Sequence, residues 1–536
     1  MLANPARRLW IVIFSSLVLT RIINAYWMPP AQDEVYYFLW ARHLAAGFFD
    51  HPPMVAFLAS LGNLHIGSAL LSRTGTLLLS FLALPFLLNL FRRLGAQEGK
   101  QLFHSMILAS LSAAAVVQGY ITTPDIPMLF CWILALHEAA AALDGKPKRW
   151  LSAGFFTGLG LMGKYTMALI GPVFLIALLV RPKKLLQPWP YLGGLVCVLT
   201  LLPHLLWLQS NDWITLRFQF GRGFMSVYNV DMKTGTDLPW AVEPAKDGEE
   251  SQLAKFFTIP DDEVSPPKKA VPQWQKYLNN FGSYVGGQLG LWGLLLFPML
   301  AAIIRRRQQP ATWRSPELKA LAWAACFVPL GLFALLSPFQ FIEANWPAMY
   351  MIGGSILFTQ YFRLHEKYLL GAAALNLCVT LLLTLHHHVP ILSTKPHKDR
   401  LLKESHGYQQ LAIYLQHLSA PVLIDTYQNS SQMAFYAPSL KIQQWPGVAR
   451  TSELIRNEKM NPWRWEDLQK AGAFYLLTDN FIPPHIPGAR IYELSEILDC
   501  VDDGLKITLS QADGIYFRPC LKRVHRWSLA YYKVGM

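Results

Sequence analysis

Long apolar runs dominate this chain and limit what it can become. They recur from Trp10 to Leu385, each roughly 17–25 residues long, enough for a helix to cross a bilayer core of about 30 Å. In lipid, only helices and closed barrels satisfy their own backbone hydrogen bonds, and runs of this length read as helices. Composition agrees: 53% of residues are hydrophobic and 15% charged, where soluble domains carry about 25% charged residues. The formal net charge of +13 comes largely from short clusters between the runs: Arg92-Arg93, Lys146-Lys148-Arg149, Arg181-Lys183-Lys184 and Arg305-Arg306-Arg307. That placement follows the positive-inside rule, so the charge reports topology and not a nucleic-acid partner.

Alternating the runs against these clusters gives about eleven spans, with the N-terminus inside and the C-terminus outside. The first run, Trp10 to Tyr26, follows Arg7 and Arg8 and lacks a small-residue cleavage site, so it reads as a retained helix. A juxtamembrane segment up to His65 precedes the second span, which returns to Arg92. Two short spans, 151–162 and 166–180, meet at Gly163-Lys164-Tyr165. Residues 1–385 thus form a membrane domain whose larger outer loops are 27–53 and 209–277. Residues 386–536 change character, with turn clusters and strand-like runs PVLIDTY, GAFYLLTD and GIYFRPCL. These predict a small α/β domain outside the membrane. Cys500 and Cys520 in this tail pair if the compartment is oxidising, whereas Cys131, Cys197, Cys326 and Cys378 sit in apolar runs as packing residues. There is no solenoid-type repeat.

Ionisable residues from separate loops reach one predicted face. The stretch QDEVYYFLWARHLAAGFFDHPPM carries Asp33, Glu34, Tyr37, Asp50 and His51; TTPD carries Asp125; the turn between the short spans carries Lys164. His204 and Arg222 flank the seventh span and its loop, and Glu343 and Asn345 lie in EANWP. Composition alone also fits an interfacial loop with an aromatic belt, and Lys164 also fits a snorkelling lysine. Convergence on one side favours a site over scattered surface charge.

In order and sidedness, DEVYYFLWARHLAAGFFDHPPM, TPD, GLGLMGKYT, WLQSNDWITLRFQFGRG and EANWPA resemble the C-type (GT-C) superfamily of membrane glycosyltransferases. The branch resembled contains bacterial protein O-mannosyltransferases and the aminoarabinose and galacturonic acid transferases of lipid A. The resemblance covers about Arg7 to Leu385. It implies a polyprenyl-phosphate-linked sugar donor and a lipid or glycan acceptor on the periplasmic face of a bacterial inner membrane. Lipopolysaccharide core or lipid A is the first expectation for the acceptor; a protein acceptor and, in another class, a transporter are the alternatives. By motif match Asp33 takes the position of the family's first-loop catalytic acid and Asp125 that of the second acidic site. Lys164, then Arg222, are expected to hold the donor phosphate, with His51 in a slot where aminoarabinose transferases carry Lys. Glu34, Tyr37, Glu343 and Asn345 are expected in the substrate pocket. Asp50 with His204 would make a sparse site for a divalent metal ion, and two ligands do not define a metal.

Overall fold

A computed structural model describes residues 5–62, 68–224, 234–242, 271–392, 395–479, 483–509, 520 and 522–535. Seven of the described helical segments are long and apolar enough to cross a membrane: Arg8–Trp27, Thr74–Leu94, Asp125–Leu143, Trp189–Ser210, Gln273–Ile304, Pro316–Leu336 and Glu366–His388. The other four expected spans fall on shorter elements. They are Lys100–Leu111 continued by Ala113–Gln118, Trp150–Leu161, Tyr165–Leu169 continued by Ile170–Leu179, and Tyr350–Tyr361. A twelve-residue helix such as Trp150–Leu161 rises only about 18 Å, short of the bilayer core. It stops at Met162, leaving Gly163 and Lys164 in a turn beside the cavity described below. Its position is fixed by small residues. A Cβ at Gly154 would land on the Gly193 carbonyl, and one at Gly158 would press on Cys197 and Thr200. Glycines four apart thus let Trp150–Leu161 lie directly against Trp189–Ser210, the small-residue packing that membrane helices favour.

The loop 27–53 is not a lipid-facing belt. It begins with the helix Gln32–Trp40, whose residues from Glu34 onward are all buried. Tyr36, Tyr37, Trp40 and Phe48 pack with Tyr427, Leu454 and Met460 of the tail. Aromatic residues that composition could assign to a membrane interface therefore form the seam between two parts of the protein. Beneath them, Arg73 and Glu34 form a two-pronged ion pair, Nε to Oε1 at 2.8 Å and Nη2 to Oε2 at 2.6 Å. Both side chains are fully buried. Arg73 also donates to the carbonyls of Ala25 and Met28, and the Thr122 N–H donates to Glu34 Oε1 at 2.8 Å. This pair ties the end of the first span, the first loop and the TTPD turn together.

The tail contains a five-stranded sheet of β1 (Val422–Ile424), β2 (Ala473–Thr478), β3 (Ala489–Cys500), β4 (Gly504–Leu509) and β5 (Arg523–Val534), in spatial order β1-β2-β5-β3-β4. The β1–β2 pair is parallel and the others are antiparallel. Of the three strand-like runs in the sequence, PVLIDTY and GAFYLLTD supply β1 and β2; GIYFRPCL lies outside the described residues except Cys520. Cys500 and Cys520 form a disulfide. Residues 234–242, one described part of the loop 209–277, dock on this domain: Gly235 N–H donates to Ile455 O at 3.0 Å, and Val242 bridges His485.

Candidate functional site

A cavity of about 480 Å³ opens where the membrane helices meet the first loop and the tail. Asp33, Tyr37 and His51 come to it from the first loop. Thr123 and Asp125 come from the TTPD turn and the helix it starts, and Lys164 and Tyr165 from the turn between the short spans. Gln340, Glu343, Asn345 and Trp346 come from the loop after Pro316–Leu336, and Arg400 from the tail. Leu169, Leu332, Phe333 and Leu336 make one side apolar. Most of the residues singled out in the sequence thus meet around one space.

Two carboxylates dominate its chemistry. Asp125, 3% exposed, receives Lys164 Nζ on Oδ1 at 2.8 Å and Asn345 Nδ2 on Oδ2 at 2.9 Å. With both oxygens engaged it serves to hold the ammonium and the amide at the cavity wall. Asp33 accepts the Tyr427 hydroxyl on Oδ1 at 3.0 Å. Tyr427 is kept protonated, its pKa pushed up by burial and then by the charge of Asp33, so it remains a donor. Beside it Arg450 stacks over the Tyr427 ring at 4.1 Å and pairs with Asp50 Oδ1 at 2.7 Å. The Tyr36 hydroxyl donates to Asp50 Oδ2 at 2.6 Å and accepts the Glu453 N–H at 2.7 Å. Burial alone would lower the Arg450 pKa, but the charge of Asp50 together with Tyr427 and Tyr36 outweighs it and keeps the guanidinium charged.

Three expected residues are placed elsewhere. Glu34 does not line the cavity; although it follows Asp33 directly, the helix turns its side chain inward to Arg73. Asp50 and His204 are not assembled as a metal pair. Asp50 is taken by Tyr36 and Arg450, while His204 bonds Tyr165 Oη at 2.8 Å through Nε2 and the Ala46 carbonyl at 2.7 Å through Nδ1. A ring nitrogen facing a carbonyl must carry the proton, so Nδ1 is the donor and Nε2 accepts from Tyr165. Among the described residues no group of three or more His, Cys, Asp or Glu is arranged to hold a metal ion. Arg222 belongs to the helix Ile214–Phe224, but its side chain lies outside the described residues.

Sequence reasoning missed Arg73, Arg400, Tyr427 and Arg450. Arg73 stands just before the apolar run Leu77–Leu88, at the end away from Arg92-Arg93, and a lone cation there signals a buried partner. The three tail residues carry no comparable sign, since nothing local distinguishes them from surface residues of a small domain.

Residues 50–207 match the family described as dolichyl-phosphate-mannose-protein mannosyltransferase. The chain is 28% identical over 187 residues to the lipopolysaccharide core galacturonosyltransferase RgtA of Rhizobium johnstonii, a stretch covering 33% of this chain and 37% of that protein's length. It is similar in structure to ArnT from Cupriavidus metallidurans, solved with undecaprenyl phosphate bound, with a TM-score of 0.55, 11% identity, and 88% of this chain and 93% of that one covered.

Proposed function

We propose that this chain, which has the fold of the C-type superfamily of membrane glycosyltransferases, moves a sugar from a polyprenyl-phosphate donor onto a cell-envelope acceptor, with lipopolysaccharide core or lipid A as the expected acceptor. The observation that carries this reading is one cavity lined by a carboxylate, Asp33, by cations, Lys164 and Arg400, and by an apolar side. A lipid-linked sugar phosphate needs all three. The apolar side suits the prenyl chain where it leaves the bilayer, and the cations suit the phosphate.

In the proposed step the acceptor oxygen attacks the anomeric carbon as the bond from that carbon to the phosphate oxygen breaks, with inversion. The bonding electrons leave with the phosphate, and Lys164 and Arg400 stabilise the charge that develops there. A hydroxyl acceptor passes its proton to Asp33, positioned as general base. A phosphate acceptor is already anionic, and Asp33 would then orient it. The relatives support the lipid-linked part of this reading: the RgtA name specifies a lipopolysaccharide core acceptor for that protein, and the ArnT structure holds undecaprenyl phosphate. An outward, periplasmic tail in an inner-membrane protein is supported by the basic clusters and by the Cys500–Cys520 disulfide, since such bonds persist in oxidising compartments.

The test is release of polyprenyl phosphate from radiolabelled polyprenyl-phosphate sugars by the purified full-length protein, paired with mass spectrometry of envelope lipids from cells with and without the gene. A mass difference of one sugar supports the reading. No donor consumption and unchanged lipids and protein glycans overturn it. The mannosyltransferase match favours a second acceptor class, protein hydroxyls, and labelled product on a peptide but not on lipid would select it.

A further inference from the structure

Arg400 is the cation that the tail contributes to the cavity lined by Asp33 and Asp125. Its side chain is 81% exposed, and its Nε is engaged with Glu404 Oε1 at 2.8 Å. Among the described residues its two terminal nitrogens have no hydrogen-bond partner, so they are open to an anion. Glu404 raises its pKa, and the charges of Glu343 and Asp33 add to this, so the guanidinium feels the carboxylates of the cavity. A long, exposed side chain has many rotamers, and where it can reach is set by the backbone that carries it. That backbone is a helix of four residues, Arg400–Lys403, too short to hold its shape alone.

Histidines at the end of the last span hold it. The helix Glu366–His388 finishes with His386, His387 and His388, and successive residues on a helix point about 100° apart, so the three rings reach in three directions. His388 Nε2 donates to the Trp27 carbonyl at 2.7 Å, at the end of the first span. His386 turns to the start of the short helix. It meets Asp399 Oδ2 at 2.9 Å through Nε2, and its Nδ1 receives the Leu392 N–H at 3.2 Å. A ring nitrogen that accepts carries no proton, so Nε2 is the donor. The other oxygen of Asp399 accepts the N–H groups of Leu401 and Leu402 and caps the helix. His387 turns to the far end. Ser405 Oγ directs its one hydrogen to the Leu401 carbonyl at 3.1 Å, so it accepts from His387 Nδ1 at 2.6 Å. Both rings are buried, and they hold the two ends of the helix with opposite tautomers.

We propose that His386 and His387 are positioning residues for the donor phosphate: they fix the helix that aims Arg400 and so set how tightly a polyprenyl phosphate is held. The inference rests on the glycosyl-transfer reading for its ligand. The tautomers give it a signature that bulk alone does not. His386 needs a donor at the far side of the ring, which the longer amide of Gln reproduces. His387 needs one at the near side, which the shorter amide of Asn reproduces.

The experiment measures binding of radiolabelled undecaprenyl phosphate to the full-length protein in micelles, beside steady-state transfer, with Tm read for every variant. Arg400→Ala should weaken binding about tenfold, as for loss of one hydrogen bond to a charged group. His386→Ala and His387→Ala should each weaken it several-fold, on the order of one uncharged hydrogen bond, and neither should lose anything further in an Arg400→Ala background. His386→Gln and His387→Asn should recover the binding that the alanine variants lose, and the exchanged pair, His386→Asn and His387→Gln, should not. Ser405→Ala deletes a single oxygen, the acceptor of His387, and should match His387→Ala even if that variant does not fold. Folded histidine and serine variants that bind as wild type, or that lose as much without Arg400 as with it, overturn the proposal and leave the histidines as packing. A wild type that neither binds undecaprenyl phosphate nor turns over a donor removes the glycosyl-transfer reading and this inference together, whereas a wild type that does both, with the variants unaffected, removes the inference alone.

Discussion

The cavity lined by Asp33 and Asp125 has two charged walls, and they are built differently. Asp125, Lys164 and Asn345 all come from turns between membrane helices, so this wall is complete once those helices pack. Asp33 and Asp50 sit on the first loop but are held by Tyr427 and Arg450, which lie 394 and 400 residues further along the chain. The first wall belongs to the membrane domain; the second exists only with the tail folded on top. The tail is therefore more than an appendage, since it fixes the rotamer of the carboxylate expected to act as base.

The largest expected effect is at that carboxylate. Asp33→Asn should lower transfer by about 10²–10⁴-fold, the span of general-base contributions, with Tm unchanged; a rate near wild type with a hydroxyl acceptor would remove Asp33 from the chemistry. On the other wall, Lys164→Ala should cost about 10²–10³-fold, as for the loss of one group stabilising transition-state charge, and Lys164→Arg should recover part of it. If both lysine variants match wild type in steady-state kinetics, that wall is scaffolding.

Replacing Cys500 and Cys520 together by Ser opens a link between positions 20 residues apart, and should cost about 3 kcal/mol of tail stability, visible as a lower Tm of the oxidised protein with reductant as the matching control. The tail-held wall should feel this loss and the helix-held wall should not, so transfer at elevated temperature falls before Lys164 and Asp125 are disturbed. Tyr427→Phe is a finer cut. Loss of one hydrogen bond to a charged group, about 1.5–3 kcal/mol, should lower kcat about tenfold while leaving the donor KM in place. In an Asp33→Asn background it should do nothing further. An equal loss in both backgrounds would mean that Tyr427 acts through packing alone.

The last effect concerns pH and the tail alone. Burial, and then the charge of Asp479, raises the Asp425 carboxyl from 3.8 to about 7. A group raised on folding contributes stability that is present below its unfolded pKa and lost as pH rises through its folded one. The tail should therefore lose stability between about pH 4 and pH 7 through this group, and Asp425→Asn should flatten that slope in Tm measured against pH. A slope unchanged by the substitution would assign the dependence to other groups.

Much of the membrane domain was legible because its signals are local. Span length, basic clusters and short polar turns each need only neighbouring residues, and together they put Asp33, His51, Asp125, Lys164, Glu343 and Asn345 around one space. Glu34 was misassigned for a geometric reason. Within a short helix the next residue points about 100° away, and the partner that claims it, Arg73, lies 39 positions on. Asp50 and His204 looked like ligands because their side chains can bind metal, but their hydrogen-bond partners are set by tertiary contacts that spacing does not encode. In the tail, β1 and β2 were readable as compact apolar runs. The longer β3 and β5 mix Arg, Glu, Asp and Lys with apolar residues, since one face of each meets solvent in places, and their pairing is wholly nonlocal.

The order of the sheet has a consequence for biosynthesis. Strand β5 is the last described strand to leave the ribosome, yet it stands third of five, between β2 and β3. A nascent chain that has not reached Arg523 holds β1-β2 and β3-β4 as two unjoined ribbons, each with a bare edge. Strand β5 works as a keystone, so assembly of the tail, and with it the Asp33 wall, is postponed until the chain has been made as far as Val534. Prematurely terminated copies would insert their helices into the membrane and still present an unfinished site.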